Sequence, residues 1–146
     1  MSSFKGSYTH AVDEKGRVNL PAKLRKYLSP ESNDTFVVTR GFEKCLFVYP
    51  VDEWNKLEQS LRDLSPYNLE HRRLIRTLLE LASECPLDGQ ARLSIPQELR
   101  EYASLKNEVR IIGTLDKIEL WDPAIYNDFK SSQPESYEDI ASRIMK

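Results

Sequence analysis

Apolar positions along this 146-residue chain follow a period of two, then a helical period, and the whole succession occurs twice. In GSYTHAV (6–12), Tyr8, His10 and Val12 alternate with smaller residues, as in a half-buried strand. Asp13-Glu14-Lys15-Gly16 supplies turn chemistry, because Asp accepts local backbone hydrogen bonds and Gly16 tolerates the positive φ of a bulged hairpin. Arg17-Val18-Asn19-Leu20 returns as a strand with Val18 and Leu20 on one side and Arg17 and Asn19 on the other. Pro21 then opens a short helix, expected at the first helical position, where a missing N–H costs nothing. Leu24, Tyr27 and Leu28 form its apolar stripe, and Lys23, Arg25 and Lys26 face elsewhere. A polar loop (29–34) leads to a hairpin of FVVTR, a turn near 41–44, and CLFVY.

The same succession returns 75 residues later: VDEKGRVNLPAKLRKYL (12–28) matches LDGQARLSIPQELREYA (87–103). Asp13, Arg17, Pro21, Leu24, Arg25 and Tyr27 recur as Asp88, Arg92, Pro96, Leu99, Arg100 and Tyr102. The match continues at an offset of 73, where FVVTRGFEKCLFVYP (36–50) meets VRIIGTLDKIELWDP (109–123). One supersecondary unit is therefore used twice, and the two halves are expected to share one barrel about a pseudo-twofold axis. The second turn is placed at Asp88-Gly89.

Between the units, VDEWNKLEQSLRDL (51–64) reads as a helix with Val51, Trp54, Leu57, Leu61 and Leu64 on one face. Ser65-Pro66 reads as cap and first-turn proline of a second helix over 67–82. Its apolar residues Leu74, Ile75, Leu78 and Leu79 cover more surface than one core contact needs. They either tuck under their own domain or form an oligomer interface. A short helix is expected over 124–130. The resulting organisation is repeat one (4–52), connecting helices (53–82), repeat two (83–130) and a flexible tail (131–146) with one helical turn around Ile140 and Ile144.

Composition narrows the function. Hydrophobic content of 40% with 30% charged residues is that of a soluble globular protein, and no stretch approaches a membrane span or a signal-peptide core. Cys45 and Cys85, in apolar contexts, are read as reduced core residues. Net charge is −2, yet residues 1–30 carry six basic side chains against two acidic ones, and residues 116–146 carry four against seven. That split suits a cationic N-terminal face. With only His10 and His71, no metal-ligand spacing and no nucleophile or phosphate-loop motif, no catalytic residue, metal or cofactor is expected. The repeated Asp lies in a tight turn with Arg four residues on, a poor place for a raised pKa.

The doubled pattern of apolar-Asp-x-x-x-Arg, a downstream Pro and Leu-Arg resembles the SpoVT–AbrB family of DNA-binding domains. Two copies in one chain, with ASECPLDGQAR, CLFVYPVDEW (45–54), EHRR (70–73) and IELWD (118–122), resemble the MraZ family across nearly all of 4–130. The resemblance implies an α+β, mainly β fold: a swapped-hairpin β-barrel built from two internal repeats, with helices packed outside. It implies a cytoplasmic, nucleoid-associated transcriptional regulator of the division and cell wall operon. Its partners would be double-stranded promoter DNA with tandem G-rich boxes and further copies of itself in a cyclic octamer or dodecamer, with no membrane or small-molecule substrate.

Carried over singly, the family's DNA-contacting positions fall on His10, Arg17, Arg25 and Lys26, with His10 replacing the usual Arg. The second unit has Cys85, Arg92, Arg100 and Glu101 there, so the first unit is expected to face DNA. Arg17 has two readings, contact with DNA beside Lys15 or a salt bridge to Asp13, and Arg92 with Asp88 likewise. Arg17 suits guanine O6 and N7, and Arg25 and Lys26 suit phosphates. Asp13, Gly16, Asp88 and Gly89 orient the turns, and Arg100 is the remaining candidate contact. Arg72, Arg73 and Arg76 read as a solvated helix face. An antitoxin-like or scaffold role is the alternative, although antitoxins of this fold pair a single copy with a disordered toxin-binding tail.

Overall fold

A computed structural model describes residues 2–145. Strands β1 (Ser7–Ala11) and β2 (Arg17–Asn19) precede helix α1 (Ala22–Arg25), and β3 (Thr35–Arg40) and β4 (Leu46–Pro50) complete the first unit. Helices α2 (Val51–Arg62) and α3 (Leu69–Leu79) connect to the second unit. That unit comprises β5 (Ser83–Pro86), β6 (Arg92–Ser94), α4 (Gln97–Ala103), β7 (Glu108–Gly113) and β8 (Ile118–Trp121). Helices α5 (Pro123–Ser131) and α6 (Tyr137–Ile144) follow. No helix among the described residues is long and apolar enough to cross a membrane.

The strands form a six-stranded sheet, β1-β7-β8-β4-β3-β5, and a separate two-stranded ribbon, β2-β6. The units exchange their first hairpins. β1 pairs with β7 of the second unit, β5 pairs with β3 of the first, and β2 and β6 pair with each other, all antiparallel. The registers carry the repeat: His10 lies opposite Val109, and its counterpart Cys85 lies opposite Phe36, the counterpart of Val109. At the centre of the ribbon Val18 faces Leu93, and these two occupy equivalent positions. The fold is thus α+β, organised by strands, built from two repeats with exchanged hairpins.

Alternation along β3 and β4 sends side chains to two apolar layers. Phe36, Val38, Leu46 and Val48 face the inner core, where they meet Val18, Leu93, Leu20, Ile95, and Leu24 and Leu99 from α1 and α4. Val37, Phe47 and Tyr49 face the outer layer with Trp121, and Trp54 of α2 and Ile125, Tyr126 and Phe129 of α5 cover them. Because both faces are covered, β3 and β4 read as almost continuous apolar runs. Cys85 lies in the inner layer and Cys45 in the outer, both as free thiols. Burial pushes the Cys45 thiol up to about 12 and raises that of Cys85, so both stay protonated and unreactive.

Three local expectations change. Pro21 and Pro96 occupy the N-cap rather than the first helical position, with extended ψ values of 138° and 145°. Helix α3 is capped by Asn68, whose side chain accepts from the His71 N–H, while Ser65 Oγ accepts from Tyr67 N and holds the preceding turn. The C-terminal segment is helical for two turns, capped by Ser136 Oγ accepting from Asp139 N, rather than for one.

Candidate nucleic-acid interface

The ribbon buries Val18 and Leu93 and therefore turns the intervening residues outward. Arg17 stands opposite Ser94, and Arg92 stands opposite Asn19. The two arginines are diagonal neighbours, so their Cα atoms lie roughly 7–8 Å apart on one face. Asn19 and Ser94 complete this row and were not among the candidates drawn from sequence. Period-two alternation placed Asn19 beside Arg17, but only the register brings Ser94 to them.

The two turns are built alike. Asp13 Oδ1 accepts from Lys15 N at 2.9 Å and from Arg17 N at 2.8 Å, and Oδ2 accepts from Arg17 Nε at 2.7 Å. Asp88 repeats this with Gln90 N at 2.9 Å, Arg92 N at 2.9 Å and Arg92 Nε at 2.8 Å. The backbone N–H of Arg17 or Arg92, reinforced by the guanidinium, holds each carboxyl below its ordinary range. Both turn aspartates are therefore fixed anions that orient an arginine. The salt-bridge reading of Arg17 and Arg92 is correct as far as Nε. Their terminal amino groups make no hydrogen bond among the described residues, which leaves the far edge of each fork for a second acceptor.

The turn glycine differs between units. Gly16 has φ +75°, and its counterpart is Ala91 at φ +59°. Gly89 has no positive φ and meets nothing within 4 Å of its would-be Cβ, so it does not fill the role expected of it. A left-handed alanine costs ~1 kcal/mol or more relative to glycine. Glycine at 16 also makes room for a neighbour: a Cβ there would lie 2.4 Å from Arg100 Nε, so the Arg100 side chain would have to shift.

That contact exposes the main correction. Antiparallel pairing of β2 and β6 sets the end of each strand beside the turn of the other unit. Leu20 N donates to Ala91 O at 2.9 Å, and Ile95 N donates to Gly16 O at 3.0 Å. Helix α1, with Lys23 and Arg25 and the C-cap Lys26, therefore begins beside the second turn, and α4, with Arg100 and Glu101, begins beside the first. Counting charges unit by unit mispartitions the face. Lys15, Arg17 and Arg100 gather at one end, and Arg92, Arg25 and Lys26 at the other, so both units contribute to each end.

Of the remaining candidates, all but Lys15 have side-chain partners among the described residues. Arg25 Nε donates to Leu20 O at 3.3 Å and Arg100 Nε to Ile95 O at 2.9 Å, fixing each strand-to-helix junction. Lys26 Nζ lies 5.2 Å from the Tyr27 ring, which Lys5 also approaches at 4.9 Å. Lys15 is exposed, with no ion pair among the described residues. His10 Nδ1 donates to Asn19 O at 3.0 Å, tying β1 to the ribbon and leaving Nε2 free of that bond.

The four apolar α3 residues separate. Leu78 is buried, and its carbonyl accepts from Thr39 Oγ1 at 2.5 Å, so it belongs to the core. Leu74 and Leu79 are 43% and 37% exposed. Ile75 and Leu79 line a groove of about 210 Å³ with Glu58, Leu61 and Arg62 of α2.

Residues 3–77 and 78–146 each match the protein family described as "MraZ protein, putative antitoxin-like". The chain is 47% identical over 139 residues to a protein of Halothermothrix orenii named transcriptional regulator MraZ, covering 95% of this chain and 94% of that one. A protein of Natranaerobius thermophilus with the same name is 42% identical over 142 residues, covering 97% and 96%.

Proposed function

Because the chain belongs to the MraZ family, we propose that it is a sequence-specific DNA-binding regulator of transcription that acts on the division and cell wall operon. In this reading it works in the cytoplasm, at the nucleoid, as a ring of identical subunits on tandem G-rich promoter boxes. The observation that carries the reading is the outward row of the ribbon, with Arg17 and Arg92 each clamped by an aspartate. A two-stranded ribbon fits the major groove, and an arginine held at Nε presents its remaining N–H donors to guanine O6 and N7. Lys15, Lys26, Arg25, Arg100 and His10 flank the row as phosphate contacts.

Assembly supplies the affinity. A subunit of net charge −2 with a handful of cations binds DNA weakly by itself. Identical subunits on evenly spaced boxes gain orders of magnitude through effective concentration. Leu74, Ile75 and Leu79 form part of the subunit interface in this reading.

The family description also favours an antitoxin-like reading. A gel shift with the DNA upstream of the gene, beside a pull-down for a toxin, separates the two. Regulation predicts a shift by the native promoter that scrambled boxes abolish. A stoichiometric toxin complex without a sequence-dependent shift would overturn it.

A further inference from the structure

We propose that Asn19 reads a base edge and thereby gives each subunit a direction on its box. The inference rests on the DNA-binding reading and deepens it, because it names the residue that distinguishes the two ends of the ribbon. Each end of the outward row holds an arginine facing a short polar residue: Arg17 opposite Ser94, and Arg92 opposite Asn19. Arginine occupies both equivalent positions, so the arginines alone read a box identically from either end. The flanking cations meet phosphates, which carry no sequence. Asparagine in one unit against serine in the other breaks the equivalence.

Chemistry separates the two ends. An asparagine amide carries a donor and an acceptor side by side and bonds adenine N6 and N7 together, whereas a serine hydroxyl serves donor or acceptor edges alike. Asn19 and Ser94 are both exposed, and neither side chain makes a hydrogen bond among the described residues. Facing residues on one side of a ribbon have Cβ atoms about 4.5–5.5 Å apart, against a base-pair rise of ~3.4 Å. With Arg92 on a guanine, Asn19 reaches the neighbouring base pair.

The fold holds Asn19 for this task. Asparagine is depleted in strands, and no hydrogen bond of its side chain offsets that here. Its carbonyl accepts from His10 Nδ1 at 3.0 Å, which ties its backbone to β1. Cys85, the counterpart of His10, donates to Ser83 O at 3.7 Å and gives Ser94 no such tie. Asn19 thus combines an anchored backbone with an unengaged amide, the arrangement that presents a side chain to a ligand.

Selection from a randomised duplex library, followed by sequencing, tests this with the full-length protein and its Asn19→Ser and Ser94→Asn variants. The wild-type motif should hold an A·T pair beside the guanine at one end only. Asn19→Ser should reduce discrimination at that pair by about 5- to 150-fold and leave the guanines selected, with circular dichroism unchanged. The His10 bond uses the backbone of residue 19 and survives the change. Ser94→Asn should add an A·T preference at the other end and make the motif symmetric. An Asn19→Ser motif identical to the wild type's, or a loss spread evenly over all positions, would overturn the assignment and leave the arginine ribbon standing. A wild-type protein that enriches no sequence would overturn the DNA-binding reading with it.

Discussion

Replacing Arg17 and Arg92 together by alanine is expected to abolish specific promoter binding and leave the fold intact. Both residues stand on the outward row of the β2-β6 ribbon, where no other side chain has the same fork of donors. A base-reading arginine is worth about 1–3 kcal/mol per site, so each single variant should bind measurably less tightly. In the proposed ring several subunits engage DNA at once, so the loss should multiply and the double variant should fall to the non-specific level of roughly 10⁻⁴–10⁻⁶ M. Stability should change little. Alanine keeps the backbone N–H groups of positions 17 and 92, so each turn aspartate retains its two backbone hydrogen bonds. The lost guanidinium pairs are partly solvated, and such pairs contribute little. Fluorescence anisotropy with the promoter, beside circular dichroism, reads both quantities. A folded double variant with undiminished specific affinity would remove the ribbon from the DNA interface.

A fragment of residues 1–50 should not fold as a monomer. Hairpin exchange leaves β1 without β7, β2 without β6 and β3 without β5. Val18, Leu20 and Leu24 would also lose Leu93, Ile95 and Leu99 from the shared inner core. What remains is one hairpin, β3-β4, which is marginal by itself in water. The fragment should be unfolded, or should pair with a second fragment that restores the exchanged partners. Circular dichroism and sedimentation across a concentration series distinguish these outcomes from a stable folded monomer, which would contradict the shared core.

Much of this was legible in the sequence, for a definite reason. A repeat whose polar residues sit in turns and whose apolar residues alternate specifies strands, turns and short helices locally. The offsets of 75 and 73 then reappear as strand registers. Asp13 and Asp88 were recognisable as turn-forming residues because an aspartate four residues before an arginine can bond both its N–H and its side chain. The exchange of hairpins is harder to read, because it depends on pairing between residues roughly 50 to 100 apart, which no local pattern encodes. That is why the order of the chain groups Lys23, Arg25 and Lys26 with the first turn, whereas the fold sets the start of α1 beside the second. Ala91 carries no sequence signal for its left-handed backbone, because glycine is the usual residue there and the nearby Gly89 lies two positions earlier. Leu78 looked like Leu74 and Leu79 by periodicity, and only the position of β3 beneath α3 separates it from them.

The central claim is that several subunits, each weak alone, read evenly spaced boxes together through this ribbon. Titrating the full-length protein, after its mass has been fixed by light scattering, against DNA carrying one box and then against the tandem array tests it most directly. An oligomer that binds the array about 10²–10⁴-fold more tightly than the single box is the predicted result. A monomer that binds one box as tightly as the array would contradict it.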